Sequence, residues 1–517
     1  MSNSWPAAFA GAVHAALLRR LPPDAEPAEL EKLSHELIEA LERGELDLPL
    51  TPARQTAARL SGWLDGEASP LLLQGQRIGW RRWLEAMQDV VEQLLVRTPP
   101  VLPPAAPVIA SPSTLNAEQL AAVMALDQAP VVLLSGGPGT GKTSTVVELL
   151  QRATARHPEL RIGLAAPTGK AARRLGDAVR PQLQEVPCFT LHRWLEASVN
   201  GFRRHRKRPL ELDLLVIDEM SMVDLALMTA LLEALPASCR LVLVGDPAQL
   251  PPIGSGAVWH RLQDPAIRSE FGSAAIHLQR TYRNRGALAA LATALRDGGL
   301  PVFREQLDRL PGEANVTVVQ ASLQRLPPLV RERWQTRHRG LAALAEGLVD
   351  LPEEELQQAA EPLLQELERE LLLCPRRKGP WSLNDVHRSL LGAAGWRDPM
   401  VWSEGVPVIS GGNQPELGLA NGDLGVKLGS GEQGRVLFRV IGSDGQQQVR
   451  RLHPARLKAL EPALALTIHR AQGSEADSVS VLWPQAEAQD SAYDSCLLYT
   501  AITRARGSLD LILSRPT

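Results

Sequence analysis

The sequence has few cysteines, and none of them lies close to another. Cys188, Cys239, Cys374 and Cys496 form no CxxC pair in 517 residues. We therefore expect neither a metal cluster nor a disulfide framework, and this cysteine usage is typical of a reducing cytoplasm. Long apolar runs are missing too, since no stretch approaches the ~20 residues that a transmembrane helix needs. Because the N-terminus also lacks a cleavage signal, we expect a cytoplasmic protein that does not enter a membrane.

The sequence also lacks an excess of either positive or negative charge. The chain has 55 basic and 58 acidic residues, a formal net charge of −3. The whole molecule therefore has no general attraction for nucleic acid, and any such contact must come from local basic patches. A composition of 44% hydrophobic and 22% charged residues is that of a globular protein. At about 150 residues per domain, the length suggests three or four domains.

Shifts in pattern divide the chain into segments. Residues 1–97 carry leucines at helical spacing, as in Leu30, Leu33 and Leu37, which predicts a helical N-terminal domain. Residues 98–113 are proline-rich and uncharged, which is typical of a semi-rigid linker.

From residue 114 onwards, short apolar runs such as VVLLSGG and LDLLVIDE alternate with helical segments. This alternation predicts an α/β fold with parallel sheets, whose ligands bind at the carboxyl ends of the strands. We place a first α/β domain at residues 114–280 and a second at 281–517. Within the second, glycine-rich sequence with period-2 alternation predicts a small β-barrel insertion at about residues 421–462.

A glycine-rich segment, GGPGTGKT, follows the apolar run VVLLS and precedes a helical pattern. That context is the one a P-loop requires, because its backbone N–H groups close around phosphate oxygens at a helix N-terminus. Lys142 would hold the β- and γ-phosphates of ATP, and the Thr143 hydroxyl would bind Mg²⁺. The residues assigned to the nucleotide are Gly136, Gly137, Pro138, Gly139, Thr140, Gly141, Lys142 and Thr143.

Three further segments supply groups that phosphoryl transfer needs. Asp218 and Glu219 end the run LLVIDE, where Asp218 would bind Mg²⁺ and Glu219 would orient or deprotonate water. Gln249 in GDPAQLPP could sense the γ-phosphate or position the water. Arg283 in QRTYRN and Arg504 in YTAITRAR are candidate arginine fingers. Structural alternatives are a helix cap, a proline-rich turn and solvated arginines.

Ten segments together resemble superfamily 1 helicases of the 5′→3′ class, and within them the RecD family. They occur in the family's order over about residues 115–514: LNAEQ, GGPGTGKT, APTGKAARRL, TLHRWL, LLVIDEMSMVD, GDPAQLPP, QRTYRN, NGDLGV, LTIHRAQGSE and LLYTAITRAR. The resemblance implies two RecA-like P-loop NTPase domains with ATP in the cleft between them. It also implies that the insertion is SH3-like, that Gln119 reads the adenine edge, and that Gln472 senses the γ-phosphate.

The resemblance further implies a path for single-stranded DNA across the two motor domains. Hydroxyls, lysine and backbone N–H groups suit phosphate contacts that hold a strand without reading its sequence. Two of the candidates are histidines, which could instead be buried and hydrogen-bonded. A basic run, FRRHRKRP, lies in a short insertion near residues 199–210 and either contacts DNA or forms a solvated face. The DNA candidates are Thr168, Lys170, Thr190, His192, Asn421, Thr467 and His469.

A complete hydrolytic site favours a motor, because unwinding a duplex costs about 1.4 kcal/mol for each base-pair step. The resemblance implies a helicase subunit of a RecBCD-type exodeoxyribonuclease, acting on double-stranded DNA ends in recombinational repair. ATP and Mg²⁺ would be the cofactors. RecB- and RecC-like subunits would complete a heterotrimer, with the nuclease site on a partner and the N-terminal domain docked on the RecC-like subunit. Alternatives are a stand-alone helicase and a structural subunit that nucleotide locks in place.

Overall fold

The computed structural model describes residues 7–19, 21, 27–64, 66–97, 115–183, 186–198, 200–282, 286–310, 315–441, 447–484 and 492–515. The predicted linker at residues 98–113 and the candidate finger Arg283 lie outside these residues. Among the described helices, none combines the length and apolar character that crossing a bilayer requires.

The N-terminal part contains helices, as predicted, and also a sheet that was not predicted. Leu30, Leu33 and Leu37 of one helix pack with Trp63 and Ile78 in a core of their own. The sheet is antiparallel, with strand order β1-β3-β2. Its strands have only three or four residues, too few for an alternating pattern to stand out in the sequence. The elements are α1 (Ala7–Leu18), α2 (Pro27–Glu42), β1 (Asp47–Pro49), α3 (Pro52–Leu60), β2 (Leu71–Gln74), β3 (Arg77–Trp80) and α4 (Arg81–Leu95).

The next segment forms a six-stranded sheet whose strand pairs are all parallel, with order β11-β4-β10-β9-β5-β6. Its strands are β4 (Val131–Gly136), β5 (Ile162–Ala166), β6 (Cys188–Thr190), β9 (Leu214–Ile217), β10 (Arg240–Gly245) and β11 (Ala275–Leu278). A separate hairpin consists of β7 (Ala197–Ser198) and β8 (Gly201–Phe202). The helices are α5 (Ala117–Gln128), α6 (Lys142–Arg156), α7 (Gly169–Val179), α8 (Leu191–Trp194), α9 (Leu225–Ala234), α10 (Val258–Leu262) and α11 (Pro265–Glu270).

Both faces of this sheet are covered, which explains why its strands are continuous apolar runs. In β10, Leu241 and Leu243 belong to the core on one face, whereas Val242 and Val244 belong to the core on the other. All four side chains are at most 1% exposed. The parallel α/β fold predicted for this region is confirmed.

Helix α4 packs mainly on this sheet domain, although Trp83 near its start also contacts the N-terminal core. Val90 and Leu94 join the hydrophobic core that contains Leu231 of α9. Just after the helix, the Arg97 guanidinium donates hydrogen bonds to the carbonyl oxygens of Pro236 and Cys239, both at 2.9 Å. The predicted boundary at residue 97 therefore separates α4 from the domain against which it packs.

The second α/β region contains a five-stranded sheet with parallel pairs and order β12-β21-β20-β13-β19. Its strands are β12 (Val316–Ala321), β13 (Glu370–Cys374), β19 (Leu466–Thr467), β20 (Ala476–Trp483) and β21 (Ala505–Ser514). The helices are α12 (Ala287–Asp308), α13 (Pro328–Ala345), α14 (Glu353–Ala359), α15 (Glu361–Arg369), α16 (Leu383–Leu391) and α17 (Ala492–Ile502).

An antiparallel sheet of five strands is inserted between β13 and β19, with order β17-β16-β15-β14-β18. The predicted insertion began at residue 421, but the first strand already begins at Pro407. Each of its four residues is buried, so this strand shows no alternation by which it could be recognised. The strands are β14 (Pro407–Ser410), β15 (Leu424–Leu428), β16 (Arg435–Ile441), β17 (Gln447–Leu452) and β18 (Leu460–Pro462).

Candidate functional site

The glycine-rich loop lies between the end of β4 and the start of α6, as predicted. Gly139 and Gly141 have φ of 73° and 86°, a region that L side chains rarely adopt. A Cβ at Gly136 would lie 2.7 Å from Thr140 Oγ1, whose hydroxyl donates to the Gly137 carbonyl at 2.8 Å. The loop, which includes Pro138, is therefore compact and leads into a helix N-terminus, an arrangement suited to phosphate.

Lys142 is the first residue of α6, and its side chain turns back onto the loop. Its Nζ donates to the carbonyl oxygens of Gly136 and Gly137, at 2.7 and 2.9 Å. Thr143 follows in the first turn and is partly exposed. The ammonium group and the hydroxyl are thus placed at the mouth of the loop, where phosphate charge would be bound.

Gln119 is fixed against the same loop by the N-terminus of α5. In a capping box, the backbone N–H of Gln119 donates to Asn116 Oδ1 at 2.8 Å, and the side-chain Oε1 of Gln119 accepts from the backbone N–H of Asn116 at 3.0 Å. Its Nε2 donates to the Thr140 carbonyl at 3.3 Å. Gln119 therefore lies beside the P-loop.

Tyr282 is a neighbour of this site that the sequence reasoning missed. Its N–H donates to the Gly139 carbonyl at 2.8 Å, and its hydroxyl accepts from Asn116 Nδ2 at 2.9 Å. The side chain remains 42% exposed, and the Arg280 guanidinium lies 5.1 Å from its ring centroid. An anchored and exposed ring offers a flat surface on which a nucleotide base could stack. The available signal was its position next to Arg283 in QRTYRN.

The acidic pair follows β9. Asp218 is held by its N–H, which donates to the Ala165 carbonyl at 2.9 Å, and its Oδ1 accepts from the Glu219 N–H at 2.8 Å. Burial, together with the neighbouring Glu219 charge, raises the pKa of Asp218 to about 6. Lys142 acts in the opposite direction, which shows that the carboxylate lies within electrostatic range of the P-loop. Carboxylate and hydroxyl oxygens, such as those of Asp218 and Thr143, are ligands that Mg²⁺ prefers.

Asp246 organises the segment that follows β10. It is 1% exposed, and its Oδ1 accepts from the Ala248 N–H at 3.0 Å. Its Oδ2 accepts from Gln249 Nε2 at 3.5 Å and from the Tyr499 hydroxyl at 3.0 Å. The Oε1 atom of Gln249 is buried and accepts no hydrogen bond from any described residue. Gln249 therefore keeps an acceptor available next to the site.

Tyr499 belongs to α17 of the second motor domain, so its hydrogen bond to Asp246 joins the two domains. We call this contact the Asp246–Tyr499 bridge. Two more hydrogen bonds run beside it: the Leu250 N–H donates to Thr500 Oγ1 at 3.0 Å, and Gln472 Nε2 donates to the Leu250 carbonyl at 3.2 Å. A Cβ on P-loop residue Gly137 would lie 3.2 Å from the Tyr499 hydroxyl. The second domain therefore reaches the nucleotide loop.

Arg504 is 2% exposed and is held within the second domain. Its guanidinium donates to the carbonyl oxygens of Thr500 and Ser474 at 2.9 and 3.2 Å, and to Thr503 Oγ1 at 3.3 Å. Ser474 follows Gln472 by two residues, so the arginine is attached to the loop that contacts Leu250. Arg504 thus lies beside Thr500, which contacts Leu250 across the interface, while its own hydrogen bonds with the described residues stay inside its domain.

The three threonines among the DNA candidates share one geometry, because each caps a helical turn. Thr168 Oγ1 accepts from the Ala171 N–H at 3.2 Å, Thr190 Oγ1 from the Arg193 N–H at 3.2 Å, and Thr467 Oγ1 from the Arg470 N–H at 3.3 Å. Helix N-termini favour phosphate groups, but capping alone also explains a threonine at each position.

The remaining candidates differ in accessibility. His192 is exposed, with its ring 6.0 Å from that of Phe202 in the basic insertion. His469 Nε2 lies 2.9 Å from the Tyr493 hydroxyl, and burial lowers the pKa of His469. These features fit the alternative of a buried, hydrogen-bonded histidine. Asn421 is exposed, and its N–H donates to Asn413 Oδ1 at 2.8 Å. The Lys170 ammonium is buried at the interface between the motor domains.

The basic insertion beside His192 is partly neutralised. Arg204 and Arg208 pair with Glu196, at 2.7 and 3.1 Å. Arg206 and Lys207 are exposed at the turn. The insertion therefore presents basic side chains to solvent on a small hairpin.

Comparison with known proteins places these features in a class. A model described as an AAA domain matches residues 119–255, and a model of the UvrD-like helicase C-terminal domain matches residues 462–512. The chain has two parallel sheets whose domains meet beside the glycine-rich loop. Together with these two matches, this arrangement defines a superfamily 1 helicase with RecA-like domains.

Individual relatives give the family. RecBCD enzyme subunit RecD from Mycolicibacterium smegmatis is 34% identical over 489 residues, which cover 89% of this chain and 82% of the relative. The ATP-dependent RecD2 DNA helicase of Deinococcus radiodurans is 32% identical over 404 residues, covering 76% of this chain and 48% of the relative. The chain belongs to the RecD family. Among solved structures, Bacteroides Pif1 helicase with ADP-AlF3 and single-stranded DNA matches at 18% identity and a TM-score of 0.43, covering 77% of this chain and 92% of that one.

Proposed function

We propose that the chain is the ATP-dependent 5′→3′ DNA helicase subunit of a RecBCD-type helicase–nuclease that processes double-stranded DNA ends. The observation that carries the proposal is the Asp246–Tyr499 bridge. It connects the second motor domain to the segment that contains Gln249 and places the Tyr499 hydroxyl over the P-loop. Because both domains meet at the nucleotide, its hydrolysis can change their relative position, which a passive clamp would not need.

The residues around the loop fit ATP and Mg²⁺. Backbone N–H groups of the P-loop and Lys142 would bind the phosphates, while Thr143 and Asp218 would hold the ion. Bound Mg²⁺ supplies positive charge on the phosphate oxygens, which favours attack by water. Glu219 would orient that water.

Around this centre, other side chains would bind the base and sense hydrolysis. Gln119 and Tyr282 would bind the base, a role supported by the hydrogen bonds that anchor both residues to the P-loop. Gln249 and Gln472 would sense the γ-phosphate from the two sides of the interface. Arg504, together with Arg283, would act as a finger once closure brings it to the phosphates.

DNA binding is proposed across the surface that bears the threonine caps, Asn421 and the basic hairpin. Capped helix N-termini can bind phosphates from several sides without reading bases. Exposed Arg206 and Lys207 would add electrostatic attraction that the whole chain, at a net charge of −3, does not provide. His192 lies beside this hairpin and could contact the same strand.

The subunit role is supported by the relative from M. smegmatis, which is named as a RecBCD enzyme subunit and matches more of this chain than the RecD2 helicase does. RecB- and RecC-like proteins would then be the partners, and the nuclease site would lie on a partner. We propose the N-terminal part, whose core is separate from those of the motor domains, as the docking unit. A stand-alone helicase is the second candidate, favoured by the similarity to RecD2.

The test compares ATPase activity with and without single-stranded DNA for the wild-type chain and Lys142→Gln. We expect DNA to stimulate the ATPase activity of the wild type and Lys142→Gln to lose both the basal and the DNA-stimulated activity. Lys32→Gln, at an exposed position of α2 in the N-terminal part, should behave as wild type. Equal DNA-stimulated activity in wild type and Lys142→Gln would rule out the motor.

Polarity and partnership need their own measurements. Strand displacement on duplexes with a single 5′ or 3′ overhang should favour the 5′ overhang. A tagged chain should recover RecB- and RecC-like proteins from its own cells. Robust unwinding by the purified chain without them would favour the stand-alone enzyme.

A further inference from the structure

A charged cavity of about 210 Å³ lies between the two motor domains, apart from the nucleotide loop. Helix α7 of the first domain forms one wall, and the second domain forms the others through α15, β20, β21 and the inserted sheet. Among the described residues, six cationic side chains and four carboxylates line it. The wall residues are therefore mostly charged, and several of them, such as Arg369 and Arg506, also reach solvent.

Ion pairs, including those with carboxylates outside the wall such as Arg439 with Glu361 at 2.8 Å, hold most of these cationic side chains in place. Arg174 of the first domain and Arg506 of the second both bind Glu475, at 2.8 and 2.9 Å, so two guanidinium groups share one carboxylate. Arg173 pairs at 3.3 Å with Asp423, which lies in the inserted sheet domain outside the cavity wall. The arginines are thus fixed in position on both sides of the interface.

Lys170 is the exception in this cluster. Although the residue as a whole is only partly buried, its Nζ is buried and makes no hydrogen bond with any described residue. Burial lowers the pKa of Lys170 to about 8, an effect that Glu368 partly opposes, so the amine remains mostly charged at neutral pH. A buried ammonium group without hydrogen-bonded partners is strongly unfavourable, and a bound anion would remove that cost.

We propose that this cavity is a binding site for inorganic phosphate, with Lys170, Arg174 and Arg506 as its cationic ligands. A tetrahedral oxyanion has several acceptors and can accept hydrogen bonds from both domains at once. Bound phosphate would therefore hold the two motor domains together. The site shares no residue with the P-loop, although Arg174 lies within electrostatic range of Asp218 and Glu219.

Direct binding provides the test. The full chain is first saturated with Mg²⁺ and a non-hydrolysable ATP analogue, which occupies the P-loop, and is then titrated with inorganic phosphate by calorimetry at constant ionic strength. We expect one phosphate site, which Lys170→Met weakens about tenfold or more, because a charged donor is lost from a shielded position. Lys170→Arg should retain binding, and Lys32→Met, at an exposed position of α2 outside the cavity wall, controls for the removal of one positive charge elsewhere.

Thermal unfolding guards against a folding artefact. In phosphate-free buffer, Lys170→Met should melt at or above the wild-type temperature, because it removes a buried charge that lacks a partner. Added phosphate should raise the melting temperature of the wild type but not that of the variant. A clear loss of stability without phosphate would show that Lys170 is paired inside the protein with Glu368, and would overturn the proposal.

The phosphate group could also come from DNA. A third arm therefore measures the binding of an oligothymidine to the wild type and to Lys170→Met. If inorganic phosphate fails to bind the wild type while Lys170→Met weakens oligothymidine binding tenfold, the lysine serves a DNA phosphodiester and the proposed site is wrong.

Discussion

The most informative single change is Tyr499→Phe, which removes one hydroxyl and leaves a ring that is 2% exposed in place. The lost hydrogen bond, 3.0 Å from Asp246 Oδ2, crosses between the motor domains. A hydrogen bond to a charged group contributes about 1.5–3 kcal/mol. If this bond forms fully only when the domains close for hydrolysis, its loss lowers kcat roughly 10- to 150-fold.

The assay is steady-state ATPase activity with saturating single-stranded DNA, resolved into kcat and KM for ATP. We expect kcat to fall and KM to change little, because the hydroxyl contacts Asp246 and borders the P-loop rather than the base. A double-mutant cycle with Asp246→Asn supplies the control, since coupled residues give non-additive losses. A kcat within twofold of the wild type, or losses that simply add, would refute the reasoning.

Three further outcomes are expected. Leu94→Ala, at a side chain 1% exposed, should destabilise the first motor domain by about 2–5 kcal/mol in denaturant unfolding, whereas Leu95→Ala, 37% exposed on the same helix, should cost less than ~0.5 kcal/mol. Burial lowers the pKa of His387 to about 4, below its ordinary 6.5, so the unfolded chain gains a proton first as pH falls. Up to about 3 kcal/mol of stability should therefore be lost between pH 6.5 and 4, and His387→Gln should flatten that slope. Arg504→Lys should slow ATP hydrolysis about 10³-fold, since a lysine cannot reproduce the planar fork of the guanidinium, and an unchanged kcat would exclude the finger role.

The nucleotide loop shows what local pattern can predict. Strand β4, the turn and helix α6 are consecutive in the chain, so the glycines, the apolar run and Lys142 appear in one short segment. The same is true of the acidic pair after β9. Each of these positions was predicted from the sequence, and in the structure the glycine-rich segment joins β4 to α6 and the acidic pair follows β9.

Elements without a local signature were missed or displaced. The three short strands of the N-terminal part show no alternation of apolar and polar residues, so that sheet was not predicted. The fully buried β14 shows none either, so the insertion was predicted to begin at residue 421 instead of Pro407. Helix α4 was assigned to the N-terminal domain because the helix continues the helical pattern of residues 1–97 and precedes the proline-rich segment. Its apolar side, with Val90 and Leu94, instead packs against the first motor domain, a choice that depends on which surfaces meet.

Within the site, long-range partners were the part that sequence could not supply. Tyr499 was only one residue of a motif, and Asp246 only the acid of GDPAQ, until folding brought them together across 253 positions. Lys170 was assigned to DNA from its motif, but its ammonium group is buried between the domains.

The sequence by itself determined the α/β fold, the P-loop, the acidic pair and the family, because these depend on residue types at short fixed spacings. Only the tertiary structure decided which of the motifs touch and which charges are left without a partner. Contact and burial depend on how elements distant in sequence pack together, and local sequence patterns do not specify that packing.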